Sequence, residues 1–444
     1  MIVLKNMQVL PEAIHKLKRL LYTDKIDAND ELEIDVKQGF VHNKTKDIKL
    51  SNIRSQSTLF GHSWKGTINL INVDADVYFI AGTTRGLLTY DSHGLNLNMT
   101  DCDFVITLDA SKLSTPFYLN SSWALSGPLP VDTENTFTYT NCSVISSGII
   151  GEHGSNFTFT DCSILDSSKA TEITYSDKFV ALTDGKVTLD LTKLSQTVNG
   201  EDIVMTGNSS TFTTTADSIT ISNSSLSGET TFLLFTTSGA YKFKTIVANF
   251  VLSDEATFKA WATAGETLAG GKYAVVSQDI TLTADIQLDA KSFGRWTLDG
   301  LGHTISNLYD YSGMLEGGAG NVTIKNITLN MKTCSSAFGD DWYGTNNFIG
   351  VKINVSLPGH AGTSRLLFDR VRADTKFNFT DCEFKFNVDS GLQSKEMTLM
   401  KLDNSGIVAN FVNSKIVSMG TIAELGSNFV LDSNSSITDK NDVA

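Results

Sequence analysis

The chain has 444 residues, a formal net charge of −14, 19% charged and 41% hydrophobic residues, 34 glycines and only 5 prolines. The acidic balance argues against a nucleic-acid binder, whose target phosphates would repel it, and the apolar content argues against a disordered chain. No window approaches the roughly 20-residue apolar run that spanning a membrane requires.

The first 30 residues read as a helical cap and attachment segment. Pro11 suits a first helical turn, after which Ile14, Leu17, Leu20 and Leu21 share one face while His15, Lys16, Lys18 and Arg19 share the other. Ahead of it, Met1 to Met7 lacks the longer apolar core and small-residue cleavage site of a secretory signal. Synthesis in the cytoplasm is therefore expected.

From residue 31 to 245 one phrase keeps returning: apolar, polar, apolar, polar, then Asn or Asp, then a small or apolar residue. Its clearest copies are Phe157-Thr158-Phe159-Thr160-Asp161-Cys162, Phe137-Thr138-Tyr139-Thr140-Asn141-Cys142 and Leu97-Asn98-Met99-Thr100-Asp101-Cys102. Phe377-Asn378-Phe379-Thr380-Asp381-Cys382 repeats it far downstream. The alternation puts apolar side chains on one face of a strand. The Asn or Asp then shifts the phase by one, as a bend would, because these side chains tolerate left-handed backbone.

Asn141 to Asp161 is 20 residues, as is Asn52 to Asn72, while Asp101 to Asn141 is 40 and Asn413 to Asn434 is 21. The spacing predicts one coil, one coil, two coils and one coil of a parallel β-solenoid. On that geometry Asn52, Asn72, Asp101, Asn141, Asp161, Asn223, Asn326, Asp381, Asn413 and Asn434 form a structural ladder along one corner, about 4.8 Å apart. Two stretches depart from the pattern, Ala81 to Gly94 and Ser114 to Asp132, and are expected to emerge as loops on a face.

Near Asn249 the pattern breaks. Ser253-Asp254-Glu255 reads as a helix start, with Phe258, Trp261 and Ala262 as its apolar face, so residues 246–266 are expected to form a second helical cap. A second β-segment then fills residues 267–444, opening with Trp296-Thr297-Leu298-Asp299-Gly300-Leu301-Gly302-His303-Thr304-Ile305 as a strand and a tight turn.

The repeat with its Asn/Asp column resembles the right-handed parallel β-helix of pectate-lyase-like proteins and of phage tailspike, tail-fibre and head-fibre proteins. The Asp-Gly-x-Gly-His-Thr-Ile phrase resembles the opening coils of many such helices. The fold expected is all-β, a right-handed parallel β-helix (β-solenoid) in two tandem segments, each with an N-terminal helical cap.

Chemistry is sparse. The ladder aspartates share their slot with asparagine, which packing explains better than catalysis, so no catalytic residue is assigned. Hydrolases of this resemblance carry Gly-His-Gly and Arg-x-Lys motifs, which His303 and His153 do not match. Cys102, Cys142, Cys162 and Cys382 occupy one slot of the repeat, where packing of a small apolar group is the expected role, ahead of a disulfide between Cys142 and Cys162. No C-x-x-C pair offers a metal site, and no cofactor is expected. The aromatic and acidic loop Phe338 to Phe348 holds the partner or ligand contacts expected here: Asp340, Asp341, Trp342 and Tyr343.

The resemblance implies a non-enzymatic structural or adhesive protein of a bacteriophage virion, made in the host cytoplasm. Its expected partners are other virion proteins, further copies of itself in a homotrimer, and host-surface glycan. Two other readings stand beside it, a polysaccharide depolymerase with carboxylates drawn from different coils and a bacterial surface adhesin.

Overall fold

The computed structural model describes residues 2–3, 32–35, 48–55, 66–79, 85–90, 95–108, 118–122, 135–151, 156–209, 211–237, 239–262, 272–283, 295–310, 320–333, 336–339, 342–357, 365–368, 371–391, 393, 396–400, 406–423 and 428–442. The helix expected at residues 11–22 lies outside them. Among the described residues the protein is nearly all β, with one α-helix, Glu255–Ala262, and three short 3₁₀ turns. The chain divides into two compact units, 1–176 with 188–223 and 231–244, and 177–187 with 224–230 and 245–444.

In the first unit, six strands pair in one sheet: Ile2–Val3, Leu32–Asp35, Gly66–Ile71, Leu95–Thr100, Thr136–Thr140 and Phe157–Thr160. Five more pair in a second: Ile48–Ser55, Val73–Phe79, Asp103–Leu108, Ser143–Ser146 and Ser163–Leu165. The registers within both are parallel, so the chain crosses from one sheet to the other and returns beside its previous crossing. Ile71, Thr100, Thr140 and Thr160 stand opposite one another, which makes successive returns 29, 40 and 20 residues apart. The 40-residue step from Asp101 to Asn141, expected to hold two coils, is thus a single pass.

Part of the extra length in the long passes is not loop. Arg85–Tyr90 and Tyr118–Ser122, inside the two stretches read as irregular, pair with each other as a parallel two-stranded sheet.

Between the two sheets of each pass sits one residue in left-handed backbone: Asn72 (φ 59°), Asp101 (53°), Asn141 (52°) and Asp161 (53°). A single positive φ redirects the strand without ending it, and Asn and Asp pay little for it. Their amides keep the inter-strand bonding continuous, as Asn72 N donates to Thr100 O (2.9 Å), Asp101 N to Thr140 O (3.0 Å) and Asn141 N to Thr160 O (2.9 Å). The inward residues Leu70, Met99 and Tyr139, and Val77, Ile106 and Phe104, form the buried core between the sheets.

After Leu165 the pairing is mixed, so the purely parallel coils read as running to residue 245 end earlier: Thr171–Glu172 and Phe179–Thr183 still pair parallel with Ala240–Ala248, but antiparallel pairs join them. Phe212–Thr215 pairs antiparallel with Ser218–Ser222, and Ile203–Thr206 pairs antiparallel with Gly228–Thr236. Asp184 and Gly185 together take positive φ (50° and 73°) and reverse the chain, so that Leu182 faces Val187.

The second unit repeats the parallel arrangement. Eight strands, from Phe250–Leu252 to Phe429–Leu431, form one sheet and seven, from Ile280–Thr281 to Ser436–Thr438, another, with a third of three strands (Arg365–Phe368, Glu396–Met400, Thr421–Ile422). Its corner column is Asn326 (φ 52°), Gly350 (61°), Asp381 (55°) and Asn413 (48°). The core is an aromatic stack in which the rings of Phe348 and Phe379 lie 5.0 Å apart and those of Phe379 and Phe411 4.7 Å.

The helix Glu255–Ala262 begins as the sequence indicates. Asp254 accepts from Thr257 N (2.8 Å) while Thr257 Oγ1 accepts from Asp254 N (3.0 Å), a reciprocal cap. Its buried residues Phe258, Trp261 and Ala262 join the second unit's core, where the Trp261 ring meets Trp296 edge-on at 5.4 Å.

Candidate functional site

Of the four contact residues expected in the Phe338–Phe348 loop, Asp340 and Asp341 lie outside the described residues. Trp342 is a correction: it is fully buried, packed against Phe338, Phe348, Phe368 and Phe377, and its Nε1 donates to Phe338 O at 3.0 Å. A side chain with no exposed surface contacts neither glycan nor partner. It was drawn inward because strands Thr345–Ile349 and Lys376–Thr380 supply phenylalanines that need a large ring to fill the space beside them. Tyr343 is half-buried, seated on Gly320 where any Cβ would strike the ring, with the Arg372 guanidinium 5.1 Å from its ring centre.

Corner side chains bond one another along both stacks. Asn141 Nδ2 donates to Asp101 Oδ1 (2.6 Å), Asn413 Nδ2 to Asp381 Oδ1 (2.5 Å) and Asn326 Nδ2 to Asp299 Oδ1 (3.2 Å). Three expected members stand elsewhere. Asn223 follows an antiparallel hairpin strand and donates to Asn208 O (2.7 Å). Asn52 lies inside a strand where register slips between Leu50 and Ile53. Asn434 belongs to a turn capped by Asp432, whose Oδ1 accepts from Asn434 N (3.2 Å) and Asn413 N (3.1 Å).

Two further asparagine columns run on the outer faces of strands. Asn410 donates to Asn378 (3.0 Å) and Asn378 to Asn347 (2.9 Å), while Asn354 donates to Asn330 (2.9 Å) and Asn330 to Ser306 (3.1 Å). Each amide can both donate and accept, so a column of them satisfies itself.

The structure assembles a site that the loop reading missed. In the first unit the corner column Asn72, Asp101, Asn141, Asp161 and a second column two residues on, Asp74, Asp103, Ser143, Ser163, floor an open groove of about 420 Å³. The register places Asp74 opposite Asp103, and Asp103 opposite Ser143. Residues two apart on a strand share a face, and neighbouring strands lie about 4.8 Å apart, so each pass adds one acceptor to each column. The signal was present in the sequence as the pattern Asn/Asp, any residue, Asp/Ser at 72–74, 101–103, 141–143 and 161–163.

The groove offers carboxylates, amides and hydroxyls but no aromatic platform. Among the described residues no group of three or more His, Cys, Asp or Glu is arranged to hold a metal ion. Among the described residues the carboxyls of Asp190, Asp254, Glu255, Asp279, Glu383 and Asp432 are held low by hydrogen bonds.

In the second unit a buried charge network closes the Asp299 turn. Asp299, 1% exposed, accepts from Tyr273 OH (2.8 Å), Leu301 N (3.0 Å) and Lys325 Nζ (3.3 Å), and Lys325 also reaches Glu229 (3.0 Å). Through Lys325 the network also ties the exposed Glu229 carboxylate to the Asp299 turn. His303 Nδ1 lies 3.3 Å from Asp279 Oδ1, and that carboxyl is held down first by the Thr304 amide and then by the His303 side chain.

Exposed apolar side chains gather at the end of the second unit, with Val412 at 46%, Met419 at 50% and Val430 at 52% exposure. Among the described residues no helix is long and apolar enough to cross a membrane. Compared with protein-family models, curated proteins and solved structures, the chain matches none.

Proposed function

We propose that this chain is a non-enzymatic structural or adhesive protein of a bacteriophage virion, folded as a right-handed parallel β-helix in two segments. The observation that carries the reading is the repeated parallel pairing within both stacks, with left-handed Asn, Asp or Gly residues at the turns between sheets. Strands bonded to a neighbour on each side open only when several bonds break together, which suits a stiff surface outside a cell. The apolar residues Val412, Met419 and Val430 support contact with other virion proteins or with further copies of the chain in a homotrimer. The polar groove supports contact with host-surface glycan, whose hydroxyls both donate and accept.

A second reading, a polysaccharide depolymerase, is favoured by one observation. Asp74 and Asp103 stand opposite each other on adjacent strands, at a spacing near the ~5 Å separation of carboxyls in retaining glycosidases. One experiment separates the two. Purified protein is incubated with envelope polysaccharide of the host, released oligosaccharides are sought by mass spectrometry, and the protein is sought in purified particles. Presence in particles without release supports the structural reading. Release that disappears in Asp74→Asn and Asp103→Asn, with folding unchanged, would replace it with the enzyme.

A further inference from the structure

Three cysteines of the first unit stand in line. Thr100, Thr140 and Thr160 are register partners, and so are Asp103, Ser143 and Ser163, which places Cys102, Cys142 and Cys162 directly opposite one another on successive passes. All three thiols take the same orientation, each donating to the carbonyl two residues earlier: Cys102 to Thr100 (3.3 Å), Cys142 to Thr140 (3.3 Å) and Cys162 to Thr160 (3.2 Å). Their sulfurs are therefore near-translations of one another along the stack.

We infer that Cys142 and Cys162 are an oxidation site, closing to a disulfide that staples the last two passes of the first unit when a small-molecule disulfide is present. Opposed parallel strands hold Cα atoms about 4.8 Å apart, inside the roughly 4.4–6.8 Å window of disulfides, and the Cβ atoms need to approach by only about 0.3–1 Å more. The terminal pass can supply that movement, because Phe157–Thr160 and Ser163–Leu165 are the end strands of their sheets. The Cys102–Cys142 pair has no such freedom, being buried with strands paired on both sides.

Access runs in the same direction. Cys102 and Cys142 are buried while Cys162 is half-buried. The Cys162 thiolate attacks one sulfur of R–S–S–R, forming a mixed disulfide and releasing R–S⁻. The Cys142 thiolate then attacks the Cys162 sulfur and displaces the second R–S⁻. Two protein sulfurs are oxidised, two small-molecule sulfurs are reduced, and the two cysteine protons end on the two R–SH formed. Cys142 suits the second step: its pKa is drawn down to about 7, the largest cause being the neighbouring Cys102 thiol. Burial pushes the Cys162 thiol up, so the first step quickens as pH rises.

The crosslink itself stands on geometry alone. Its use rests on the virion reading: a chain kept reduced in a cytoplasm would gain the staple once outside.

The test treats the full-length protein with oxidised glutathione, then counts alkylatable thiols after denaturation. The chain has five cysteines, and the expected result is loss of two thiols, with a Cys142–Cys162 peptide pair and a melting midpoint raised by a few degrees that reverses with dithiothreitol. C102S should lose two thiols as the parent does. C142S should stop at glutathione attached to Cys162, and C162S should keep its remaining thiols. Five free thiols in the folded, treated parent, or a pair mapped to Cys102–Cys142 or involving Cys334, would overturn the proposal even if a serine variant fails to fold.

Discussion

Two regions built from the same alternating Thr-, Ser- and Asn-rich pattern pair in opposite senses. Between Gly66 and Leu165 each corner is a single left-handed residue, and the chain goes on to a second sheet and returns parallel to itself. At Asp184-Gly185 two successive residues take positive φ and the chain folds straight back. A turn with both central residues left-handed matches strand twist and closes a two-residue hairpin, whereas one left-handed residue only redirects a strand. At these two sites the extra residue of positive φ accompanies a hairpin in place of a stack corner, although Ala216-Asp217 close a hairpin with neither residue left-handed and Leu301-Gly302 are both left-handed at a stack corner.

The largest effects expected test what the stack contains. Phe379→Ala removes the middle ring of the Phe348–Phe379–Phe411 column, and Trp342→Ala empties a fully buried site. Each should cost about 3–5 kcal/mol in denaturant unfolding of the second unit. A Trp342 that served as a surface contact would instead change stability by no more than about 0.5 kcal/mol. Asp299→Ala leaves Lys325 and the Tyr273 hydroxyl without their buried acceptor, an expected loss of about 3–5 kcal/mol.

Corner substitutions sharpen the comparison directly. Asn141→Val places a β-branched residue at φ 52° and removes the bond to Asp101, for an expected loss of about 2–3 kcal/mol. Asn141→Gly keeps the backbone free and loses only the side-chain bond, about 0.5–1.5 kcal/mol. Gly185→Val should cost as much as Asn141→Val if backbone handedness alone decides the turn. A hairpin that tolerated it, judged by thermal unfolding, would refute the handedness argument.

Titration gives the smaller effects. Lys325 is raised above its ordinary 10.5, through the Tyr273 and Glu229 hydrogen bonds that outweigh burial, and Tyr273 is raised above 10.0 chiefly by burial. In both cases the folded state holds its proton more tightly than the unfolded state. Their contribution is complete below about pH 10 and is lost as pH rises beyond it, so melting midpoints should fall on the alkaline side, and less so in Lys325→Met. Glu255 is drawn down to about 2, first by Lys259 and then by Thr283. A lowered carboxyl contributes above its unfolded value of 4.5 and loses that contribution as pH falls toward 2. Trp261 fluorescence, read against Trp296→Phe, should report loosening of the helix only in that acid window.

Much of the architecture was legible because period-two alternation and a left-handed Asn or Asp are both sequence-visible. Asn72, Asp101, Asn141, Asp161, Asn326, Asp381 and Asn413 all take the expected backbone. Gly350 fills the same slot unnoticed, since a glycine carries no side chain to mark a column. Asn223 and Asn434 fit the phrase but not the place, because Asn favours several kinds of turn and the phrase does not say which. Pass length was opaque for another reason: Asp101 and Asn141 are partners in space, and counting residues assumes a constant return. The groove was readable two residues past each corner, while Trp342 was not readable as core, because loop composition does not reveal which way a ring points.

The account's central claim is that partners in the first stack are set by corner position and not by a 20-residue period. Spin labels at Asn96 and Thr136 test it, since both are exposed and are register partners 40 residues apart. Backbones about 4.8 Å apart predict strong dipolar broadening in the continuous-wave spectrum of the doubly labelled folded protein, absent from the sum of the single labels. Spectra no broader than that sum would place another strand between them and contradict the account.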